Sequence, residues 1–228
     1  MKRNIEKEYT YYLNLSKEWL PQDILYDVIN TLCDDMNLNP QVKFNCLLEM
    51  RFASDEDNKT KFSFKINHGE IYYKVTKKTR LSSLDSDLQI YDERISEWRH
   101  ISEMDPNLFN NDVISYYYKE SYKHVISLED RQFKLNFQDV TFLDSMSRAG
   151  NRKYYLEIET KKNHDIRILG KIQKKLETIG WKKLTNDSSK VSIGSDTLSG
   201  HYRLSHDLKV VETQVYDIFK RMAIRSMQ

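Results

Sequence analysis

The sequence predicts an α+β fold: antiparallel strands closing into a barrel that is polar inside, with helices packed on its apolar outside. Three observations predict it. Segment after segment alternates charged and apolar residues with the two-residue period of a strand, and the apolar members keep to one side. Apolar residues at helical spacing appear instead at 24–36, 166–179 and 210–222. Only 6 Gly and 3 Pro occur in 228 residues, with no low-complexity linker and no repeat at a solenoid period. The expectation is therefore a single domain over 1–228.

Residues 4–15 alternate loosely and are rich in Tyr, which predicts a first strand with Glu6 and Glu8 on one face and Ile5 and Tyr9 on the other. The stretch 16-SKEWLP-21 opens a helix that Ile24, Leu25, Val28, Ile29, Leu32, Cys33 and Met36 continue to residue 36. Three strands are expected next. In 46–54, Leu48, Met50 and Phe52 oppose Glu49 and Arg51. In 61–69, Phe62, Phe64 and Ile66 oppose Lys61, Ser63, Lys65 and Asn67. In 71–80, Tyr73 and Val75 oppose Lys74, Thr76, Lys78 and Arg80.

Residues 82–112 fit either a strand or a short helix around Trp98 and Ile101, with 104-MDPNLFNND-112 as a loop. Strands return over 113–126, 129–143 and 153–162. The last, 153-KYYLEIETKK-162, sets Glu157 and Glu159 on one face and Leu156 and Ile158 on the other. A helix over 166–179 closes on Gly180 as a C-cap. A final amphipathic helix over about 209–226 carries Val210, Val211, Val215, Ile218, Phe219 and Met222.

Composition removes several classes of function. Lys+Arg 36 against Asp+Glu 34 leaves a net charge of +2, too small a field to favour duplex DNA or an anionic membrane. Anion recognition must come from local clustering. Cys33 and Cys46 lack metal-ligand spacing and fall in apolar patterns, as expected of buried thiols in a reducing compartment. No apolar run approaches membrane-spanning length, and the start lacks a signal-peptide core, so the expected location is cytoplasmic. The 6 His are scattered, and no Walker A loop, GxSxG elbow or CxxC pair is present.

The polar faces are sorted by charge. The middle strands carry Arg51, Lys65, Lys74 and Lys78, and Lys134 follows later; the two ends of the strand series carry Glu6 with Glu8 and Glu157 with Glu159. Side by side, two such ExE strands would set four carboxylates together, a self-repelling cluster whose pKa values rise on burial. A hard, oxygen-preferring cation, Mg²⁺ or Mn²⁺, resolves that conflict. Rows of Lys and Arg nearby would hold a polyphosphate against the metal.

These features resemble the CYTH or triphosphate tunnel metalloenzyme superfamily. The resemblance rests on ExE in 5-IEKEY-9, on 75-VTKK-78, on Asp139-Val140 ahead of 156-LEIE-159, and on the helix end 176-LETIGWKK-183. It spans roughly residues 4–195. It implies an antiparallel eight-stranded tunnel, divalent-metal dependence and a substrate bearing a 5′- or inorganic triphosphate. By resemblance, Glu6, Glu8, Glu157 and Glu159 are catalytic metal-site carboxylates, with Asp139 a further metal ligand. Lys78 is a catalytic and substrate-binding lysine, and Arg51, Lys65 and Lys74 bind phosphates. Lys119, Arg131 and Lys134 of the later strands are candidates to join them, and which of Lys119, Lys123, Arg131 and Lys134 face the tunnel is left open.

The third position of the family's ExExK is Thr10 here, and no clean Arg-x-Arg pair occurs. The resemblance implies a hydrolase of RNA 5′-triphosphate, inorganic tripolyphosphate or nucleoside triphosphate. Thr10 keeps open the alternative of a module that binds nucleotide or polyphosphate without cleaving it, and the same fold also hosts nucleotidyl cyclases.

Overall fold

The computed structural model describes residues 1–13, 21–32, 42–52, 58–82, 89–109, 111–128, 131–160, 166–185, 189–199 and 202–225. Its elements run β1 (Lys2–Leu13), α1 (Pro21–Leu32), β2 (Lys43–Phe52), β3 (Asn58–Asn67), β4 (Glu70–Ser82), β5 (Gln89–Ile95) and the two-residue β6 (Arg99–His100). Two short 3₁₀ turns follow, Ile101–Glu103 and Pro106–Phe109. Then come β7 (Val113–Leu128), β8 (Arg131–Leu143), β9 (Ala149–Thr160), α2 (Ile166–Thr178), β10 (Lys182–Lys183), α3 (Lys190–Leu198) and α4 (Leu208–Arg225).

All pairings are antiparallel, and one sheet holds all ten strands in the order β10-β1-β5-β4-β3-β2-β7-β8-β9, with β6 on β4. β1 serves two neighbours with two segments. Residues 2–8 pair with β5, and residues 7–13 pair with β9. The β3–β4 hairpin turns on His68 and Gly69, whose φ values of 50° and 80° supply the left-handed pair that a two-residue hairpin needs.

The expected apolar face is where the helices sit. Leu48, Met50, Phe52, Phe62, Phe64, Tyr73 and Val75 form one buried cluster with Tyr116, Tyr118 and the α4 residues Val211, Val215, Ile218 and Met222. Leu156 and Ile158 join a second cluster, with Leu135 and Phe137 of β8, Ile24, Val28 and Leu32 of α1, and Ile172 and Leu176 of α2. Each such side chain stabilises by roughly 1.5–3 kcal/mol relative to water, so this face alone is enough to hold three helices to the sheet.

Several expectations shift. The first helix spans Pro21–Leu32 within the expected 16–36; residues 16–20 and 33–36 lie outside the described ones. The ambiguous stretch after residue 82 contains a strand, β5, then a two-residue strand and two 3₁₀ turns. β9 starts at Ala149, four residues earlier than expected. The larger correction is α3, which the sequence reading did not anticipate and which reaches the apolar-face cluster through its last residue, Leu198. The body of the helix lies on the polar face, where Ile193 packs against Tyr117, Val140, Phe142 and Tyr155. Gly194 permits that approach, since a Cβ there would stand 2.1 Å from Ser115 Oγ and 2.9 Å from Ser115 Cα. Among the described residues, no helix is long and apolar enough to cross a membrane.

Candidate functional site

Strand register decides which charged residues meet. Glu49 of β2 stands opposite Ser63 of β3 and Tyr117 of β7, Arg51 opposite Lys61, and Ser63 opposite Lys74. On the other side, Lys134 stands opposite Glu159 and Asn136 opposite Glu157. Glu159 and Glu157 in turn stand opposite Glu8 and Thr10 of β1. With a period of two, these residues share one face of the sheet.

Glu49 organises the first group. It is 2% exposed, yet it accepts from Lys119 Nζ at 3.0 Å, Tyr117 Oη at 2.9 Å and Ser63 Oγ at 3.1 Å, and pairs with Lys61 Nζ at 3.2 Å. Burial pushes its pKa up; Lys119, Lys61 and Arg51 outweigh burial and hold it well below the usual carboxylate range. Burial pushes Lys119 the other way, down to about 7, with Glu49 opposing and Lys61 and Lys190 adding to the fall. Lys74 is likewise pushed down to about 8, first by burial and then by Lys61. Arg51 donates to Tyr117 Oη at 3.1 Å. This is a crowd of cations around one buried carboxylate, and it has room electrostatically for an anion.

Glu157 organises the second group. Its Oε1 accepts from Lys190 Nζ at 2.6 Å, and its Oε2 accepts from Asn136 Nδ2 at 2.7 Å and from Gln138 Nε2. Burial raises the Glu157 pKa, but Lys190, Lys119 and Lys78 reverse this and keep the carboxylate ionised. Lys190 is the first residue of α3, a position where the helix dipole disfavours a cation. The Glu157 carboxylate and Gln138 Oε1, 2.5 Å from Nζ, offset that cost. Ser115 Oγ donates to the Lys190 carbonyl at 2.6 Å and ties the helix start to β7. Two residues on, Glu159 pairs with Lys134.

The expected residues fall into three sets. Glu157, Glu159, Lys134, Arg51 and Lys78 come to this face; Lys78 pairs with Glu93 at 3.7 Å and acts electrostatically on Glu157. Lys65 and Lys74 lie beyond them, over the Trp98 ring at 4.5 and 5.0 Å from its centroid. Glu6, Glu8 and Arg131 are placed by backbone register alone, Glu6 opposite Tyr91, Glu8 opposite Gln89 and Glu159, and Arg131 opposite Leu128; their side chains lie outside the described ones.

Asp139 does not join the cluster. It stands opposite Tyr154 on the other face and is held by Arg152, Nε to Oδ1 at 2.9 Å and Nη2 to Oδ2 at 2.5 Å. A carboxylate paired this way across the sheet is no ligand for a site on the inner face. The open question of register is partly answered: Lys119 contacts Glu49, and Lys123 acts on Lys74 electrostatically. Sequence reasoning missed Lys190, Asn136 and Gln138, and gave no role to Glu49 or Lys61, though both sit in the charged alternation of β2 and β3.

Among the described residues no group of three or more His, Cys, Asp or Glu side chains gathers as a metal site. Glu157 and Glu159 nonetheless fit a hard cation, being oxygen donors two residues apart on one strand, with the Glu157 carboxylate held ionised.

No protein-family model matches the chain, and no curated protein matches its sequence. Solved structures with a similar course of the backbone include the PH1012 protein of Pyrococcus horikoshii OT3, 14% identical over 85% of this chain and 99% of that one, with a TM-score of 0.46. The PH1819 protein of the same organism is 15% identical over 79% and 94%, with a TM-score of 0.48. The triphosphatase of the mimivirus capping enzyme is 13% identical over 77% and 90%, with a TM-score of 0.46.

Proposed function

We propose that the chain is a divalent-metal-dependent hydrolase of a triphosphate group, with the polar face of the sheet enclosing an eight-stranded tunnel that receives the phosphates. One observation carries the reading: Arg51, Lys61, Lys74, Lys78 and Lys119 face one another across adjacent strands with Glu49 as the buried carboxylate between them. A linear triphosphate needs several cations held in a row, and a row is what these strands supply.

Glu157 and Glu159, with Glu6 and Glu8 from β1, would hold Mg²⁺ or Mn²⁺. When bound, such an ion polarises a phosphoryl oxygen and neutralises charge that develops on it. The chain's own residues do the rest. Lys61, Lys74 and Lys78 bind and align the phosphate oxygens, Arg51 adds a fixed fork on the Tyr117 hydroxyl, and the buried Glu49 keeps Lys61 and Lys119 in position. In phosphoryl transfer, positioning and preorganised charge supply most of the acceleration.

A second reading, binding without turnover, is favoured by a specific contact. Lys190 places an ammonium on the Glu157 carboxylate at 2.6 Å, where a metal would compete with it. A phosphate-release panel with Mg²⁺ or Mn²⁺, run on tripolyphosphate, ATP and triphosphate-ended RNA, separates the two. Release from any of them at rates that need the metal is expected. Tight binding of all three without release of phosphate or pyrophosphate replaces the hydrolase with the binding module, and pyrophosphate release from ATP alone points to the cyclase.

A further inference from the structure

The lysine row of β3 and β4 does not end in solvent. It ends on an aromatic ring. Lys65 and Lys74 both direct Nζ at Trp98, 4.5 and 5.0 Å from the ring centroid, and Lys65 also lies 5.8 Å from the Tyr72 ring. His100 meets Tyr72 edge to face with centroids 5.8 Å apart. Two ammonium groups on one indole repel each other, and the ring's negative face offsets part of that repulsion. From there Lys74 reaches inward to the field of Lys61 and Glu49. Trp98 therefore stands at the outer end of the row proposed to hold phosphates.

The backbone around Trp98 is fixed before any ligand arrives. Upstream, Ser96 N donates to the Val75 carbonyl at 2.9 Å and its Oγ accepts from Val75 N at 2.9 Å. Downstream, Arg99 and His100 pair with Tyr73 and Tyr72 of β4. A half-buried indole clamped on both sides to the strand that carries Lys74 and Lys78 is preorganised, so seating a flat group on it costs little ordering entropy. A bare chain of phosphates gains nothing from such a ring. A nucleoside 5′-triphosphate carries a flat base at the end of its phosphate chain, and a base stacks on any aromatic face.

We propose that Trp98 is the base platform of the site: the base of a nucleoside 5′-triphosphate unit stacks on it as Lys65 and Lys74 leave the ring for the phosphates. The proposal rests on the triphosphate reading above and narrows it to substrates with a base, whether a free nucleotide or the 5′ end of RNA.

The test measures dissociation constants with Mn²⁺ for tripolyphosphate, ATP and a triphosphate-ended oligoribonucleotide on wild type, W98A and W98F. Base stacking predicts that W98A weakens ATP or the oligonucleotide by about tenfold to a hundredfold. It also predicts that tripolyphosphate changes less than about threefold and that W98F restores most of the loss, because it restores a ring. Whichever of the two base-bearing ligands loses more to W98A is the form the site takes. Equal losses for all three ligands in W98A, with W98F no better, make Trp98 a support for the lysines and overturn the proposal. Wild-type affinity for all three with no effect of W98A overturns it while leaving the triphosphate reading intact. No binding of any ligand by wild type removes both. Melting temperatures of the variants identify a folding defect, and W98F, the milder change, then decides.

Discussion

The two halves of the polar face handle charge in opposite ways. On β2, β3 and β4, cations outnumber carboxylates, and Glu49 is shared by Lys61, Lys119, Ser63 and Tyr117. On β8 and β9, each carboxylate has its own ammonium: Lys190 on Glu157 and Lys134 on Glu159. The first half therefore has positive charge to spare, whereas the second is neutralised pair by pair. An anion is drawn to the first without displacing anything. A metal enters the second only by displacing a lysine, and the displaced lysine becomes one more cation for the anion. The halves are coupled through that exchange, so mutations in the acidic half are expected to have the larger effects.

The largest effect is expected from Glu157→Gln with Glu159→Gln. Phosphate release should fall by at least about 10²–10³-fold, and Mn²⁺ should no longer raise the melting temperature, since an ion held only by the native state stabilises by mass action. Repulsion among clustered glutamates would make the metal-free double variant more stable than wild type, but the Lys190 contact reverses that sign. Removing the charge from Glu157 leaves the 7% exposed Lys190 ammonium without its carboxylate, and breaking a buried pair from one side costs roughly 3–5 kcal/mol. The metal-free protein should therefore melt lower. A higher metal-free melting temperature would mean that the pair is not formed in solution, and an unchanged Mn²⁺ response would take these glutamates out of the metal site.

Lys78→Ala tests the basic half. Lys78 sits between the halves, pairing with Glu93 at 3.7 Å and contributing to the field on Glu157. Loss of one preorganised charge contact of this kind lowers turnover by about 10²-fold, and the melting temperature should fall as well, because the buried Glu93 loses this contact and the Tyr91 ring loses its ammonium. Wild-type turnover in this variant would show that the spare positive charge of β2–β4 is not where the phosphates lie.

Much of this was legible in the sequence, for a physical reason. A strand buried on one side must alternate, so Leu48, Met50, Phe62, Phe64, Val75, Leu156 and Ile158 revealed the outer face, and the charges between them revealed the inner one. Asp139 was misplaced because it was assigned by resemblance, against the alternation of β8 itself: Phe133, Leu135 and Phe137 lie on the outer face and Lys134, Asn136 and Gln138 on the inner one. Position 139 shares the parity of the first set, and a one-residue shift moves a side chain across the sheet. Alternation also cannot say which strands adjoin, so the meeting of Glu49 with Lys119, 70 positions apart, had no local signal. α3 was missed because it meets the sheet through one apolar residue, Ile193, and the close approach of Gly194 to Ser115 rather than through an apolar stripe.

A smaller effect separates the halves by pH. Lys74 is held near 8 by burial and by Lys61, so it loses its charge as the pH rises through that value, whereas Lys119, pushed down to about 7, loses its own at lower pH. A bound phosphate favours the protonated amine and raises its pKa. The Lys74 contribution to tripolyphosphate affinity should thus be flat below about pH 8 and fall above it, by at most about tenfold per pH unit. Lys74→Arg should flatten the profile between pH 7.5 and 9.5, because a guanidinium stays charged there. A fall of the same steepness in that variant assigns the titration to another group.

The smallest effect concerns Thr10, which stands opposite Glu157 in the β1–β9 register and takes the position where ExExK has lysine. The ammonium that reaches Glu157 in this chain comes instead from Lys190, at the start of a helix far along the sequence. Thr10→Lys in the wild-type background therefore adds a second ammonium beside one already in place. The two repel, and turnover should change by no more than about twofold, the equivalent of about 0.5 kcal/mol usual for substitutions that gain no partner. In a Lys190→Ala background, Glu157 is left buried without its cation, and Thr10→Lys should recover a substantial part of the lost stability and turnover. The coupling between the two positions, read from the double-mutant cycle, should be well above the 0.3–0.5 kcal/mol or so seen for independent sites. Simple additivity would mean that positions 10 and 190 do not serve the same carboxylate, and that the acidic half is neutralised by Lys190 for the sake of the fold alone.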